Sequence, residues 1–341
     1  HLTPDYPERK KGLRTLLERA ESSDIDVVTI GGDLFDQPES MEQLRTDLRN
    51  DLFTDRSFDI ILIPGNHDIE AYRGDVFFGD ACTVMTEEPF SHWTAPNDDL
   101  RITALPYRER PDDELLLALQ DRTPFDGHEA LLLHCSLNAP FDGYETGEET
   151  ARQYFPVTEE LLAELGFDSY LAGHYHSPHK VSISTGAVFT YPGTPVSTST
   201  SETGQRRVSI LDPGNGIEFE TLETYHYAAR EFTVTPGCED ALLADVREWS
   251  DQHAVDYADA SVHVDGFVEM PEDAFHEELQ AAAAPATVTN ATRSVEQVLS
   301  HPLFRSFQAE LEDTDWDEET VDRVTERTLD VFSQLSARGE I

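Results

Sequence analysis

The sequence predicts an α/β fold, a four-layer α/β/β/α sandwich followed by a small α+β unit and a helical tail. Short aliphatic runs alternate with segments whose apolar residues recur at helical spacing, which is typical of a largely parallel sheet covered by helices. Further apolar runs flank a hairpin turn at residues 213–216 and indicate a second sheet. With 341 residues, the chain is long enough for two or three domains.

The elements of the sandwich can be placed in order along the chain. Helices are expected over residues 13–20, 40–52, 112–119 and 158–165. The last of them has Thr158 as its cap and Gly166 as its end. Strands are expected over residues 27–30, 60–63, 102–105, 130–133, 170–172, 188–191, 207–211 and 217–222. Residues 71–99 are expected to be irregular.

The composition changes after about residue 225. A strand over residues 232–234, a helix over 239–250 and a strand over 261–268 predict a compact α+β unit. A linker or frayed helix is expected near residues 281–285, and a tail helix begins at Asp317 and ends at Gly339. We therefore predict three regions: 1–226, 227–280, and 281–341 as a linker with a helical tail.

The charge is strongly negative. There are 68 acidic and 24 basic residues, a net charge of -44, and only three of the basic residues are lysines. Such a charge fits an ordinary solvated surface or the cytosol of a salt-accumulating microbe, where carboxylates keep a protein hydrated. Acidity opposes nucleic-acid binding, but at molar salt the Debye length falls to about 3 Å. Charge alone therefore does not decide whether DNA is a partner.

The cellular setting is suggested by the cysteines and by hydropathy. The three cysteines are far apart and form no CxxC motif, which favours reduced thiols in a cytoplasmic protein. No window reaches the roughly eighteen apolar residues of a membrane span, so no membrane association is expected. Because the chain opens on His1 rather than on methionine, we interpret its start as truncated.

Four apolar runs end in residues that can bind metals. These residues are, in chain order, Asp33, Asn66 with His67, His134, and His174 with His176. The carboxyl ends of strands in an open α/β sheet gather at one crevice, so these side chains are expected to meet there. A carboxylate, an amide oxygen and imidazoles suit Mn, Fe or Zn, and one carboxylate can bridge two ions.

Each of these residues also has an ordinary structural interpretation. Asp33, Asn66 and Asp68 could simply form turns, and a lone His134 is more often an interior histidine than a ligand. His174 and His176 are only weak signals by themselves. Their joint order, each at the end of an apolar run, is what predicts a two-metal centre.

These motifs resemble those of the calcineurin-like metallophosphoesterases. The resemblance rests on Gly-Asp-Leu-Phe-Asp at 32–36, Gly-Asn-His-Asp at 65–68, His134 and Gly-His-Tyr-His at 173–176. Together with Tyr-Pro-Gly-Thr-Pro at 191–195, these details look most like the SbcD-type DNA repair exonucleases. The resemblance implies the four-layer metallophosphoesterase fold, and for residues 227–280 a capping domain.

The resemblance also implies roles for individual residues. One ion would be held by His1, Asp33 and His176. The other ion would be held by Asp33, Asn66, His134 and His174. His67 would give a proton to the leaving oxygen, Asp68 would orient the ring of His67, and Asp36 would steady a loop or a ligand. The family pattern opens with Asp-x-His. Only the His has a counterpart here, His1, so the ion held by His1 lacks one ligand that the family pattern would supply.

The implied activity is a two-metal phosphodiester hydrolase, with Mn²⁺ as the expected ion. Water would attack phosphorus in line without a covalent enzyme intermediate, with residues 191–195 forming a wall beside the ions. DNA ends are the expected substrate, and an SbcC-type SMC-like ATPase is the expected partner; a homodimer is left open. The tail helix would pack on the capping domain or on this ATPase, or it is an ordinary docked C-terminal helix. The alternatives are a small-molecule phosphodiesterase or phosphatase, and a scaffold that has lost catalysis.

Overall fold

The computed structural model describes residues 1–337 except residues 24, 75, 139–152 and 313. The chain divides into two compact units, His1–His226 and Tyr227–Ile341. Gly339, where the tail helix is expected to end, lies outside the described residues. No helix within the described part of the chain is long and apolar enough to cross a membrane.

The outer layer of the first unit is helical and covers a three-stranded parallel sheet. The helices are α1 (Pro7–Glu21) and α2 (Pro38–Asp47), which continues as a π-helical turn, Leu48–Leu52. The sheet has the order β1 (Val27–Ile30), β2 (Asp59–Leu62), β3 (Cys82–Val84). Both helices begin on proline, whose missing N–H costs nothing at a helix start. Leu13 and Leu17 of α1 pack in one core with Ile60 and Leu62 of β2.

The second sheet has six strands in the order β10-β11-β9-β6-β5-β4. In chain order these are β4 (Ser91–Thr94), β5 (Leu100–Ala104), β6 (His128–His134), β9 (Ser169–Gly173), β10 (His179–Ser182) and β11 (Val188–Tyr191). The four inner strands are parallel, and the edge strands β4 and β10 are antiparallel to their neighbours. Two helices, α3 (Asp113–Gln120) and α4 (Glu159–Leu165), cover its outer face.

The two sheets pack against each other. Ile61 and Ile63, on the face of β2 opposite the helices, share a buried cluster with Ile102, Ala104 and Leu132 of the second sheet. Successive residues of β2 therefore pack alternately into two cores, as the alternation of side chains along a strand requires. The layers run helix, sheet, sheet, helix, and the predicted four-layer α/β fold is confirmed.

Two expectations for this unit are wrong. Residues 71–99, expected to be irregular, contain β3 and β4, which were too short to stand out but are fixed by pairing with β2 and β5. The strands β12 (Arg207–Asp212) and β13 (Gly216–Thr221) form a two-stranded ribbon of their own rather than joining the second sheet. A further short pair joins β7 (Ser136–Leu137) and β8 (Pro156–Val157).

The second unit has a sheet of β14 (His226–Val234), β15 (Ala258–Val268), β16 (Thr287–Asn290) and β17 (Arg293–Ser294). Two helices, α5 (Glu239–His253) and α6 (Glu272–Ala283), pack on it through a core that includes Val246, Trp249, Phe275 and Leu279. The segment expected to be a linker is structured, because Ala282 and Ala283 are buried in that core at the end of α6. Residues 287–290 then pair with β15 as a strand.

The C-terminal part of the second unit is helical, with three helices where the sequence indicated one. These are α7 (Glu296–Ser300), α8 (Pro302–Glu312) and α9 (Glu318–Ala337). Their buried core joins Phe304 of α8 to Leu329 of α9. Asp317 caps α9 as expected, since its Oδ1 accepts the backbone N–H of Thr320 at 2.8 Å.

Candidate metal centre

The site is built around Asp33, which follows β1 on a strained turn. Its φ of 52° is left-handed, and Gly32 before it has a φ of 101°, a conformation that favours glycine. A Cβ on Gly65 would lie 2.1 Å from Oδ1 of Asp33, so the second turn can approach only because that residue is glycine. Oδ1 accepts the backbone N–H of His67 at 2.8 Å. The carboxylate is thus fixed between the ends of β1 and β2.

The other oxygen of Asp33 faces the second sheet. Oδ2 is buried and receives no hydrogen bond of good geometry from the described residues, although Nε2 of His134 lies 3.2 Å away. Burial acts to raise the pKa of Asp33, but the imidazoles of His134 and His1 and the His67 N–H together lower it to about 2. An ionised, buried carboxylate oxygen without a well-placed donor is suited to a cation.

His134 stands at the end of β6 with a defined tautomer. Its Nδ1 lies 2.8 Å from the carbonyl oxygen of Gly31, an acceptor, so Nδ1 carries a proton. Its Nε2 lies 2.8 Å from Oδ1 of Asn66 and close to Asp33, so an imidazole nitrogen faces two oxygen acceptors. Burial acts to lower the pKa of His134, yet the Asp33 carboxylate raises it overall. A proton or a metal ion placed among Nε2 of His134, Oδ1 of Asn66 and Oδ2 of Asp33 would satisfy all three atoms.

His174 completes this group from the end of β9. Among the described residues, Asp33, His134 and His174 bring one ligand atom each within 4.8 Å of one another, and all three are buried. His174 has a φ of 109°, far from ordinary strand geometry. Such strain is found where the surroundings hold a residue in a functional position.

His1 and His176 form a second group on the other side of Asp33. Their Nε2 atoms are 3.0 Å apart, and Nε2 of His1 is 3.9 Å from Oδ2 of Asp33. Asp33 is therefore placed between His1 with His176 on one side and His134 with His174 on the other. His1, Asp33, His174 and His176 border a cavity of about 650 Å³ within the first unit, so a ligand can reach them.

The family model for calcineurin-like phosphoesterases matches residues 1–178, just over half of the chain. The chain belongs to the calcineurin-like phosphoesterase family. It is therefore a metal-dependent hydrolase of phosphoesters, and divalent ions are its cofactors. No curated protein matches the chain.

The donor set fits the ions of this phosphoesterase family. Two imidazoles, an amide oxygen and a carboxylate surround one position, and the same carboxylate with two further imidazoles borders the other. Nitrogen with oxygen donors is the chemistry of Mn, Fe and Zn sites. Oδ2 of Asp33 lies 3.2 Å from Nε2 of His134 and 3.9 Å from Nε2 of His1.

His67, the expected proton donor, lies beside this pair of positions. Its ring centre is 4.8 Å from that of His1. Its Nδ1 lies 3.2 Å from the backbone oxygen of Asp36. The carboxylate of Asp36 lies 3.6 Å from Nδ1 of His1 and 3.6 Å from Nη1 of Arg9. Asp36 thus contacts both His67 and His1, in keeping with the expectation that it steadies a ligand.

The expectation that Asp68 orients the ring of His67 is wrong. Asp68 is fully buried, and its Oδ1 accepts the Gly65 N–H at 2.8 Å. Its Oδ2 accepts the Phe35 N–H and the Tyr72 hydroxyl, each at 3.1 Å. Both oxygens therefore fasten the two turns together, and the oxygen that faces Nδ1 of His67 belongs to Asp36 instead.

Residues 191–195 were expected to form a wall beside the ions. Residues 192–195 line the cavity, whereas Tyr191 does not. Tyr191 is fully buried, and its hydroxyl donates to the Cys135 carbonyl at 2.9 Å and accepts the Leu137 N–H at 2.8 Å. It therefore fixes the turn that follows His134. Gly193, with a φ of 77°, lies so close to His176 that a Cβ would be 2.5 Å from its carbonyl oxygen.

Sequence reasoning missed Glu202, which contacts a candidate ligand directly. Its Oε1 lies 2.7 Å from Nδ1 of His176. Burial acts to raise the pKa of Glu202, but His176 and Thr198 lower it to about 2. Glu202 stands in a run of serines and threonines without an apolar strand before it, so the strand-end pattern gave no signal there.

Proposed function

We propose that this phosphoesterase is a Mn²⁺-dependent nuclease that acts on DNA ends with two ions. The observation that supports it most is that Asp33 lies close to imidazoles that come from the end of β6, from the residues after β9 and from the start of the chain. Two ions about 3.5–4 Å apart and bridged by one carboxylate are the usual arrangement for displacement at a phosphodiester.

The ligands divide between the two ions as follows. His1, Asp33 and His176 would hold one ion, and Asp33, Asn66, His134 and His174 would hold the other. When bound, such ions lower the pKa of water toward 7 and offset the charge of the phosphate. In this assignment Asp33 binds both ions, and each of the other residues binds one ion.

His67 would give the proton to the leaving oxygen. The Asp36 carbonyl 3.2 Å from Nδ1 favours a proton on that nitrogen. The nearby carboxylate of Asp36 favours the charged imidazolium that a proton donor needs. Water would attack phosphorus in line from the opposite side, and no covalent intermediate with the enzyme would form.

Two features support DNA over a small phosphodiester. The motifs at residues 32–36, 173–176 and 191–195 resemble those of SbcD-type nucleases. The second unit, Tyr227–Ile341, lies beyond the family match and has the α+β content expected of a capping domain. Its helix α9 would bind an SbcC-type SMC-like ATPase, in a cytoplasm rich in salt.

The proposal is tested with full-length protein and Mn²⁺ in molar KCl. The substrates are linear duplex DNA, the same DNA as a covalently closed circle, and bis(4-nitrophenyl) phosphate. We expect loss of nucleotides from linear DNA, a much slower reaction on the circle, and no activity when Mn²⁺ is chelated. Hydrolysis of the chromogenic diester alone would replace DNA by a small substrate. No hydrolysis of any substrate would favour a scaffold.

A further inference from the structure

Glu202 lies in the loop between β11 and β12 and is 5% exposed. Its Oε1 is 2.7 Å from Nδ1 of His176. An ionised carboxylate only accepts hydrogen bonds, so the proton must be on Nδ1 of His176. The lone pair is then on Nε2, the atom that lies 3.0 Å from Nε2 of His1. The contact therefore selects the tautomer that an ion at this position requires.

We propose that Glu202 is a positioning residue for the ion on the His1 side of the centre, acting through the orientation and tautomer of His176. A histidine that binds a metal commonly donates its other N–H to a carboxylate, which makes the imidazole a better ligand. The proposal depends on metal-dependent hydrolysis by this family and not on DNA as the substrate.

The loop around Glu202 holds its carboxylate in one place. Oε2 accepts the Thr198 N–H at 2.8 Å, and Oε1 accepts the Thr198 hydroxyl as well as the imidazole. The backbone carbonyl of Glu202 accepts the hydroxyl of Ser197 at 2.6 Å. With both oxygens fixed, rotation of the carboxylate cannot release His176 without breaking several hydrogen bonds.

Arg206 fixes the backbone of the same histidine. It is 3% exposed, and its guanidinium donates to the carbonyl oxygen of His176. It also donates through Nε to the Thr194 carbonyl at 3.0 Å and through Nη2 to the Thr194 hydroxyl at 2.9 Å. Nη2 is 4.0 Å from Oε2 of Glu202, so the two side chains also offset each other's charge. Glu202 and Arg206 together hold His176 by its ring and by its backbone.

A purely structural role for Glu202 predicts a different outcome from a positioning role. If Glu202 only balances Arg206, its removal lowers stability and affects both ion positions alike. If it positions His176, its removal weakens the ion on the His1 side and leaves the one beside His134 nearly unchanged. Metal affinity resolved by site separates the two roles.

The experiment measures Mn²⁺ binding by calorimetry in high KCl for the wild type, Glu202→Ala, Glu202→Gln and the control Glu223→Gln. Glu223 is an exposed carboxylate near the same loop. We expect Glu202→Ala to weaken one site by roughly ten- to a hundredfold. Glu202→Gln keeps an acceptor oxygen and should lose less, and the control should match the wild type.

A second readout follows the His176 tautomer by ¹⁵N NMR of the imidazole without metal. The wild type should show the proton on Nδ1, and Glu202→Gln should shift the population toward Nε2–H. Unchanged Mn²⁺ affinity in a folded Glu202→Ala, or an equal loss at both sites, would overturn the proposal. A wild type that binds no Mn²⁺ would contradict the metal centre itself, while the tautomer measurement would still test Glu202.

Discussion

At the scale of residues, the site depends on imidazole nitrogens that face other possible metal ligands. His134 is held by the Gly31 carbonyl, and its Nε2 faces the oxygens of Asp33 and Asn66. His176 is held by Glu202 in the same way and faces His1. In each case a backbone or carboxylate oxygen accepts a hydrogen bond from one ring nitrogen, and the other ring nitrogen faces the space proposed for an ion.

The role proposed for His67 leads to a prediction at this scale. His67→Ala should lower turnover of the phosphodiester by roughly a hundred- to ten-thousandfold, because it removes a proton donor and no ligand. The Mn²⁺ content should remain that of the wild type. His276→Ala, at a half-buried histidine on α6 in the second unit, is the matched control and should change neither. Loss of metal together with turnover would show that His67 is a ligand.

The residue scale also shows what the sequence could not predict. Asp33, Asn66, His134 and His174 follow aliphatic runs, so a local pattern identified them before their distances were known. Glu202 lies 26 positions after His176, beyond β10 and β11, and only the folded chain brings the two together. Asp68 was assigned to the wrong partner because its neighbour in sequence, His67, is not the group that its carboxylate contacts in space.

At the scale of elements, a buried ion cluster joins β5, β6, α3 and α4 beneath the site. Glu129 on β6 accepts Arg101 Nε at 2.9 Å through Oε1 and Arg122 Nη2 at 3.0 Å through Oε2. Arg122 also donates to the carbonyls of Leu119 and Leu165 in the last turns of the two helices, at 2.8 and 2.9 Å. The cluster thereby fixes both helices against β5 and against β6, the strand that carries His134.

The cluster predicts a stability change that depends on pH. Burial acts to raise the pKa of Glu129, but Arg122 and Arg101 lower it overall. The ionised carboxylate therefore stabilises the fold above its unfolded pKa, near 4.3, and this contribution is lost as the pH falls through the lower folded pKa.

Glu129→Gln should thus cost about 1–3 kcal/mol in the free energy of unfolding at pH 7, because two buried guanidinium groups lose an ionised acceptor. The difference from the wild type should shrink below about pH 4, because the unfolded chain then takes up a proton at Glu129 that the native carboxylate does not yet bind. Urea unfolding at both pH values measures it. Glu164→Gln, an exposed change on α4, is the control. A penalty that does not depend on pH would mean that shape, and not charge, is what the cluster needs.

The elements were predicted to different degrees for physical reasons. The inner strands β2, β6 and β9 are nearly continuous apolar runs because both faces are covered, and they were identified from sequence. The strands β3 and β4 have three and four residues and exist only through pairing with distant strands. Residues 281–285 were predicted to be a linker or a frayed helix, since a run of alanines before a proline does not show where a helix ends. Residues 281–283 form the end of α6, and Ala282 and Ala283 are buried.

At the scale of the whole molecule, the chain has 68 acidic residues, whereas the DNA proposed as its substrate is a polyanion. The proposal resolves this conflict with molar salt, which screens surface charges at a distance of about 3 Å. The buried contacts around Asp33 are screened much less, so metal binding can persist where surface repulsion fades. The composition predicts a salt-rich environment, whereas DNA is proposed as the substrate from the site and its motifs.

The most direct test of the account is the number of Mn²⁺ ions that each chain binds in high KCl. It is measured by equilibrium dialysis with metal analysis for the wild type, Asp33→Asn, His174→Ala and His176→Ala. We predict two ions for the wild type, one for each histidine variant, and loss of both for Asp33→Asn, since its carboxylate is shared. An Asp33→Asn protein that still binds two ions would contradict a centre organised around that carboxylate.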